Sequence, residues 1–280
     1  MFSMLRFDFT PPPDLWPFID RFWVCESARE VIWPTLLPGT GAEIYFHFRQ
    51  PFPNVGLGAH LACFRSARLL LGASGDIGFV AVRFRTGMLA RFAEHPPALL
   101  NDRILDAEDL WGPAGRELSV RFQELATLAE RLALLSNFLR QRLRPGDALV
   151  ETAVAAIYQQ GAVLQMSELA ERHGLGLRQL ERRFQAVIGV SPARLRSLVR
   201  FQKTCRQLLL DPVAPILDTA LAEGYYDHAH FCRNFRELSG QSPQAYFAVA
   251  RKLTHFYNTP RKQPGTVATP DQSDGKRSCK

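Results

Sequence analysis

The pattern of apolar and polar residues changes near the middle of the chain. Up to about residue 110, short apolar runs such as Glu43–Phe48 and Gly78–Phe84 alternate with frequent proline and glycine. Short strands between such breaks are typical of a small β-barrel or sandwich. After Pro145 the apolar residues follow a helical spacing as far as about Arg251. The pattern therefore predicts an α+β protein of more than one domain, in which a β-barrel precedes an all-helical domain.

The segment between these regions, Glu117 to Arg144, contains no glycine or proline. Its leucines recur every seven residues, and two interpretations remain open. A single long helix would offer a leucine seam to a second chain. Alternatively, the sequence Thr127-Leu128-Ala129-Glu130 matches a capping box, which divides the segment into two accessory helices on the β domain. We favour the two-helix interpretation, and dimerisation through one of the helices stays open.

The domain limits follow from the breaks in these patterns. Pro145 disfavours helix at Arg144, and Asp147 can cap the helix that follows. We predict a β domain over residues 1–145 and a helical domain over residues 146–252. Residues 259–280 have many Pro, Gly, Ser and Lys and few apolar side chains, which predicts a disordered basic tail.

The helical region contains an internal repeat. Leu180–Phe184 and Gly189–Pro192 are matched, 51 residues later, by Phe231–Phe235 and Gly240–Pro243. Each copy predicts a helix, a short turn and a second helix, which is the helix-turn-helix arrangement. In the first copy we expect Ser167 to cap the leading helix, and the second helix to run from Leu177 to Ile188. In the second copy we expect Asp227 to cap a helix that runs to Ser239.

The second helix of each copy has one apolar face and one face rich in hydrogen-bond donors. Leu180, Phe184, Val187 and Ile188 form the apolar face in the first copy, and Phe231 and Phe235 form it in the second. Most charged helix faces are simply exposed to solvent. Two copies of such a face on a basic domain favour binding in the major groove of double-stranded DNA. The predicted DNA-binding residues are Arg178, Glu181, Arg182, Gln185, His228, Ala229, Cys232, Arg233 and Arg236.

The segment between the copies predicts a spacer helix from Ser191-Pro192 to about Asp211. Its length would be about 30 Å, close to the roughly 34 Å between successive major grooves. One chain could then place both helices in adjacent grooves. The charge distribution agrees with DNA binding by the helical region. Residues 1–150 carry 16 basic and 16 acidic side chains, whereas residues 151–280 carry 18 basic and 11 acidic ones.

At these residues the sequence resembles the AraC/XylS family of bacterial transcription regulators over roughly Asp147–Lys252. The signature includes Leu180-x-Arg182-x-Phe184, Gly189-x-Ser191-Pro192, Arg200, Gly224-Tyr225-x-Asp227, Phe231-x-Arg233-x-Phe235 and Gly240-x-Ser242-Pro243-x-x-Tyr246. Two positions depart from the family pattern, because Gly176 and Ala229 stand where serine is common. The resemblance implies that seven of the nine residues above face bases, all except Gln185 and Arg236. It also implies that Ser191 and Ser242 lie near the DNA backbone, although both serines could be plain helix caps.

The resemblance extends more weakly to the N-terminal region, which looks like the cupin-like sensor of one branch of the family. Pro38-Gly39-Thr40, Val82–Gly87 and Asp109-Leu110-Trp111-Gly112 carry this likeness. This likeness implies a small-molecule effector or a second copy of the chain as a partner. For the whole chain we expect a transcription activator or repressor with RNA polymerase as a further partner, and free thiols favour the cytoplasm. We expect no membrane span, because no uncharged apolar stretch approaches about 20 residues.

Three other interpretations of the N-terminal region remain. A metal-dependent cupin enzyme would need clustered ligands, but this region offers His47, His60 and His95 without a His-x-His pair. A DNA-repair methyl acceptor would need a zinc-bound cysteine set, which Cys25 and Cys63 do not supply. An interaction module that holds a dimer without sensing a ligand is the strongest of the three. We therefore predict no enzyme activity, metal or cofactor, and mostly buried free thiols.

Overall fold

The computed structural model describes residues 5–28, 30–33, 35–53, 55, 58–66, 68–160, 165–211 and 213–251. The predicted basic tail, 259–280, and its Cys279 lie outside these residues. The N-terminal part of the described chain contains the strands β1 Leu5–Phe9, β2 Ile19–Ser27, β3 Val31–Ile32, β4 Glu43–His47, β5 Ala59–Ala62, β6 Ala73–Ser74, β7 Ile77–Phe84 and β8 Ile104–Asp106.

The strands form two antiparallel sheets. Six of them pair in the order β1-β2-β7-β4-β5-β8, and β3 pairs with β6. Every residue of β4 is buried, which means that the large sheet is covered on both faces. Because side chains alternate along a strand, Ile44 and Phe46 enter one core, whereas Tyr45 enters a second, aromatic core with Trp23 and Phe79. The predicted β domain is confirmed, and its strands are antiparallel, whereas its cupin-like barrel form stays a prediction.

Three helices follow the sheet: α1 Ala107–Trp111, α2 Pro113–Glu124 and α3 Leu128–Arg142. The predicted break is confirmed, because the Thr127 hydroxyl accepts from the Glu130 backbone while Glu130 caps the Thr127 N–H. Leu118 and Leu139 are buried in the protein's own core, and the rings of Phe46 and Phe122 lie 5.3 Å apart. The leucine repeat therefore packs these helices on the β domain.

The helical region has seven helices in the described chain: α4 Ala148–Gln160, α5 Met166–Arg172, α6 Leu177–Ile188, α7 Pro192–Leu210, α8 Ile216–Ala222, α9 His228–Ser239 and α10 Pro243–Ala250. The pairs α5–α6 and α8–α9 are the two predicted helix-turn-helix units, and α7 joins them. One detail of the prediction was wrong. Helix α5 begins at Met166 with Gln165 at its N-cap, so Ser167 lies inside the helix, and the earlier start allows Met166 to be buried.

The main hydrophobic core continues from the β domain into the helical region. One cluster of buried side chains includes Phe84 and Leu100 together with Ile157, Ile188 and Leu198. Polar contacts cross the same boundary, since Arg91 pairs with Glu151 at 2.7 Å. None of the helices in the described residues is long and apolar enough to cross a membrane.

Candidate nucleic-acid interface

Helix α6 presents the predicted polar face to solvent. Leu180 and Phe184 are fully buried beneath it, and the helix ends at Gly189, whose φ of 80° is left-handed. The structure brings the four predicted residues of this helix together on one exposed face: Arg178, Glu181, Arg182 and Gln185. The amide nitrogen of Gln185 donates to the Gly189 carbonyl at 2.8 Å, so this side chain also closes the end of the helix.

Helix α9 repeats this arrangement with different side chains. Phe231 and Phe235 are fully buried, and the Asp227 carboxylate caps the helix by accepting from the His230 N–H at 2.6 Å. Four of the five predicted residues of this helix are exposed, and they are His228, Ala229, Arg233 and Arg236.

The fifth residue, Cys232, is half-buried, and its Sγ lies 3.5 Å from Nε2 of His228. Burial raises the pKa of the Cys232 thiol, although the charge of Arg236 opposes this shift. The group next to His228 is therefore a neutral thiol rather than a thiolate, and it adds no negative charge to the face.

The arginines of the two faces are not used in ion pairs within the part of the chain that the structure describes. Arg178, Arg182, Arg233 and Arg236 have no carboxylate within salt-bridge distance there, whereas the neighbouring Arg183 pairs with Asp147 and Arg172 pairs with Glu168. An unpaired guanidinium can bind a guanine edge or a phosphate with two parallel hydrogen bonds. Both faces therefore offer cations that the fold itself does not neutralise.

Serines begin the helices that follow each unit, as the sequence predicted. The Ser191 hydroxyl accepts from the Arg194 N–H, and the Ser242 hydroxyl accepts from the Ala245 N–H, both at 3.2 Å. These are ordinary N-caps, and each hydroxyl keeps its proton for one further acceptor. Gly176, which replaces the usual serine in the first unit, gives no side-chain cap.

Helix α7 joins the two units. It has 19 residues, which corresponds to about 28 Å at the usual rise per residue. Its buried side includes Leu195, Leu198, Val199, Cys205 and Leu209. Gln202 of the same helix accepts a hydrogen bond from Thr40 of the β domain at 2.7 Å.

The second unit is also tied to α7 through Arg200. Its guanidinium donates to the Gly224 carbonyl at 3.0 Å and lies 4.4 Å from the centre of the Tyr225 ring. The family signature includes both Arg200 and Tyr225, and the structure explains this by their contact.

The aromatic core of the β domain contains two histidines that sequence reasoning did not single out for function. His47 and His60 are about 1% exposed, and their rings stack with centres 5.3 Å apart. Both nitrogens of His47 and Nδ1 of His60 have no hydrogen-bond partner among the described residues. Burial lowers the pKa of His47 to about 4 and that of His60 to about 3, so both rings are neutral at pH 7.

A partly buried ion pair lies beside Tyr45 of the same core. The Glu43 carboxylate accepts from Arg83 at 2.8 Å and from the Tyr45 hydroxyl at 2.7 Å. Burial alone would raise the pKa of Glu43, but the charges of Arg83 and Arg65 outweigh it and hold the pKa at about 2. In the described residues no three His, Cys, Asp or Glu side chains form a group that could hold a metal ion.

Comparison with known proteins agrees with the two-part architecture. Residues 169–248 match a family described as "Helix-turn-helix domain", and residues 8–106 match a family described as "Domain of unknown function (DUF6597)". An "Uncharacterized HTH-type transcriptional regulator" of Haemophilus influenzae is 36% identical over 119 residues, or 41% of this chain. The chain covers 40% of that relative's length.

Two solved structures are among those to which the chain shows similarity. A regulator with an AraC-type DNA-binding domain from Chromobacterium violaceum is 27% identical, with 37% of this chain and 91% of that chain covered and a TM-score of 0.33. ToxT from Vibrio cholerae is 12% identical, with 88% and 98% covered and a TM-score of 0.42.

The repeated helix-turn-helix units and the family match over the same residues define this region as a helix-turn-helix domain. With the signature described above, residues 169–248 resemble the DNA-binding domain of AraC-type transcriptional regulators.

Proposed function

We propose that the protein is a sequence-specific regulator of transcription that binds double-stranded DNA through α6 and α9. The observation that carries this proposal is the pair of repeated faces whose four arginines lack ion-pair partners in the described residues. Bases would be read by Arg178, Glu181, Arg182, Gln185, His228, Ala229, Cys232, Arg233 and Arg236. Other basic side chains of the region would neutralise phosphates. Because its DNA target would be the chromosome, we propose that the protein acts in the cytoplasm.

The domain limits are part of this proposal. Helix α3 ends at Arg142 and α4 begins at Ala148, which supports a boundary near Pro145. We infer a DNA-binding domain over residues 146–252 and a regulatory domain over residues 1–145.

Binding-site selection from random DNA with the full-length protein tests this function, followed by anisotropy titration of the selected sequence. We expect the selected DNA to bind at least about 1,000 times more tightly than a scrambled sequence. Log Kd should rise linearly with log salt concentration. A double variant, Arg182→Glu with Arg233→Glu, should abolish selective binding.

Arg121→Glu is the matched control, because Arg121 lies on α2 and is 61% exposed in its side chain. It should retain wild-type selectivity. Equal affinity of the wild-type protein for selected and scrambled DNA would disprove the proposed function.

We propose further that the β domain binds a small effector within its aromatic core, next to His47 and His60. A buried polar group without a partner costs free energy, so a ligand that donates to one imidazole nitrogen and accepts from the N–H of the other would offset that cost. Screening small planar hydrogen-bond donors by thermal shift tests this, because a bound ligand raises the melting temperature by mass action. The gain should disappear in His60→Leu.

Three alternative functions of the β domain each have a separate test. If it only holds a second copy of the chain, sedimentation should show a dimer and no ligand should shift the melting temperature. If it contacts RNA polymerase, the isolated complex should contain the polymerase with the regulator and its DNA. A metal-dependent cupin enzyme is the remaining alternative, and binding of added divalent metal to the β domain would favour it.

A further inference from the structure

Helices α6 and α9, which we term the recognition helices, end at the same kind of position. Gly189 closes α6 and Gly240 closes α9, with left-handed φ values of 80° and 73°. The two glycines are equivalent positions of the repeat, 51 residues apart. A left-handed conformation at a helix end favours glycine in any protein, so the φ values alone indicate no special role for these two glycines.

The surroundings of the two glycines are unusual, because each lies against the β domain. A Cβ on Gly189 would fall 2.7 Å from the backbone nitrogen of Ala98 and closer still to the Asn101 amide. A Cβ on Gly240 would fall 2.6 Å from Cζ of Arg68. At Gly189 glycine is thus required twice, by the left-handed backbone and by the approach of the Ala98 backbone, whereas at Gly240 the backbone conformation requires it and the neighbouring atoms belong to the end of the flexible Arg68 side chain.

Arg68 also makes a directed contact with the second recognition helix. Its Nη1 donates to the carbonyl oxygen of Ser239, the last residue of α9, at 2.7 Å. A cation at the carboxyl end of a helix is stabilised by the unpaired carbonyls and the helix dipole. Arg68 is exposed, and it precedes Ser239 by 171 residues.

The contacts with α6 and α9 come from one connected piece of the β domain, which we term the bridging loops (residues 63–66, 68 and 97–102). Asp102 joins its two parts, because its N–H donates to the Phe64 carbonyl at 2.9 Å and its carboxylate accepts from the Ser66 hydroxyl at 2.7 Å. The Ser66 carbonyl in turn accepts from Arg194, in the first turn of α7, at 3.5 Å.

We propose that the bridging loops fix the distance and angle between the two recognition helices, and that Arg68 is a positioning residue for DNA binding. The proposal rests on the proposed function. Helix α7 alone joins the two units covalently, whereas the bridging loops contact the end of α6, the start of α7 and the end of α9. Their contacts lie at the carboxyl ends of the recognition helices, which leaves the amino-terminal turns free for bases.

The consequence is a strict spacing between the two halves of the DNA site. Each added base pair moves the second half-site along the duplex and rotates it by roughly 35°. A rigid pair of helices cannot follow such a rotation, whereas a pair joined through α7 alone can follow part of it. Loss of the Arg68 contact should therefore weaken the preference for one spacing more than it weakens binding to either half-site.

The test uses the full-length protein and a selected DNA site with zero, one or two base pairs inserted between its halves. For the wild-type protein we expect Kd to rise about tenfold or more with two inserted base pairs, the effect of losing one good base contact. For Arg68→Ala we expect this rise to fall to about threefold or less. Arg68→Lys keeps a cationic donor for the Ser239 carbonyl and should restore part of the spacing preference.

Arg121→Ala, with the same change of charge on α2, is the control and should keep the wild-type spacing profile. Thermal melting should show that Arg68→Ala is folded, since the side chain lies at the surface. If Arg68→Ala and the wild-type protein have superimposable spacing profiles, the positioning role is wrong while DNA binding stands. If the wild-type protein selects no DNA sequence, both proposals fail.

Discussion

The two helix-turn-helix units share their buried side and differ on their exposed side. Both recognition helices have 12 residues and a C-terminal glycine, and they bury Leu180 and Phe184 in one unit and Phe231 and Phe235 in the other. The exposed faces have little in common beyond their arginines. Packing against α7 constrains the buried side in the same way twice, but nothing in the fold constrains the outer side. We expect the two helices to recognise different base sequences, so that the DNA site is asymmetric.

The units also differ in how firmly they are held. Phe235 has four ring neighbours at 5.5–5.7 Å, namely Phe201, Phe231, Tyr246 and Phe247. No ring contact of this kind involves Phe184 in the described residues, and Gly176 provides no cap where Asp227 does. The second unit thus has more aromatic contacts and a helix cap that the first lacks, and four measurements test what this difference does.

The largest expected effect is from removing the central ring of each unit. Phe235→Ala should lower the free energy of unfolding by about 3–5 kcal/mol, and Phe184→Ala should fall near the lower end of that range. Urea denaturation measures both. The exposed Val249 provides a control, because Val249→Ala should change stability by less than about 0.5 kcal/mol. A larger loss for Phe184→Ala would reverse the ranking of the units.

Acid should destabilise the domain that both units contact. His47 and His60 have pKa values lowered from about 6.5 to about 4 and about 3 in the folded state. Below pH 6.5 the unfolded chain therefore binds protons that the folded chain does not, and stability falls as pH falls towards those values. The slope is about 1.4 kcal/mol per pH unit for each histidine, or roughly 2 kcal/mol each by pH 5.

Urea denaturation at pH 7 and pH 5 measures this loss. His60→Leu should reduce the loss by about half, whereas His95→Gln should leave it unchanged, because His95 is exposed. An equal loss in His60→Leu would mean that the titrating groups lie elsewhere.

The asymmetry of the DNA site is tested by one arginine in each unit. Arg182→Ala and Arg233→Ala should each weaken binding by about 1–3 kcal/mol and relax base preference in one half-site only. Titration of sites mutated in one half at a time separates the two. If both variants relax the same half-site, or neither does, the assignment of one helix to each half is wrong.

The smallest effect concerns the caps. Asp227→Ala should lower the free energy of unfolding by about 1 kcal/mol, and Gly176→Asp should raise it by a few tenths of a kcal/mol. Nothing lies within 4 Å of a Cβ built on Gly176, so the new side chain meets no obstacle. Chemical denaturation measures both, and destabilisation by Gly176→Asp would show that the missing cap does not explain the difference.

Local chemistry made much of the helical region predictable from sequence. Gly176 and Gly189 limit α6, and Thr127 separates α2 from α3, because glycine and capping residues act on their own neighbours. The capping rule failed at Ser167, because α5 begins earlier than predicted, at Met166, whose side chain is buried. The contact of Arg68 with Ser239 and the orphaned His47 nitrogens arise between segments distant in sequence, and neither leaves a local pattern that could have revealed them.

The core that continues from the β domain into the helices limits how this protein can be recombined with others. A Cβ on Gly87 of the β domain would fall 2.6 Å from Cδ1 of Ile188 in α6, and Val154 of α4 belongs to the same buried cluster. A chimera that grafts residues 146–252 onto a foreign sensor would expose these apolar side chains to water. Exchange of sensors in this architecture therefore requires the donor's surface to match, side chain by side chain, the one it replaces.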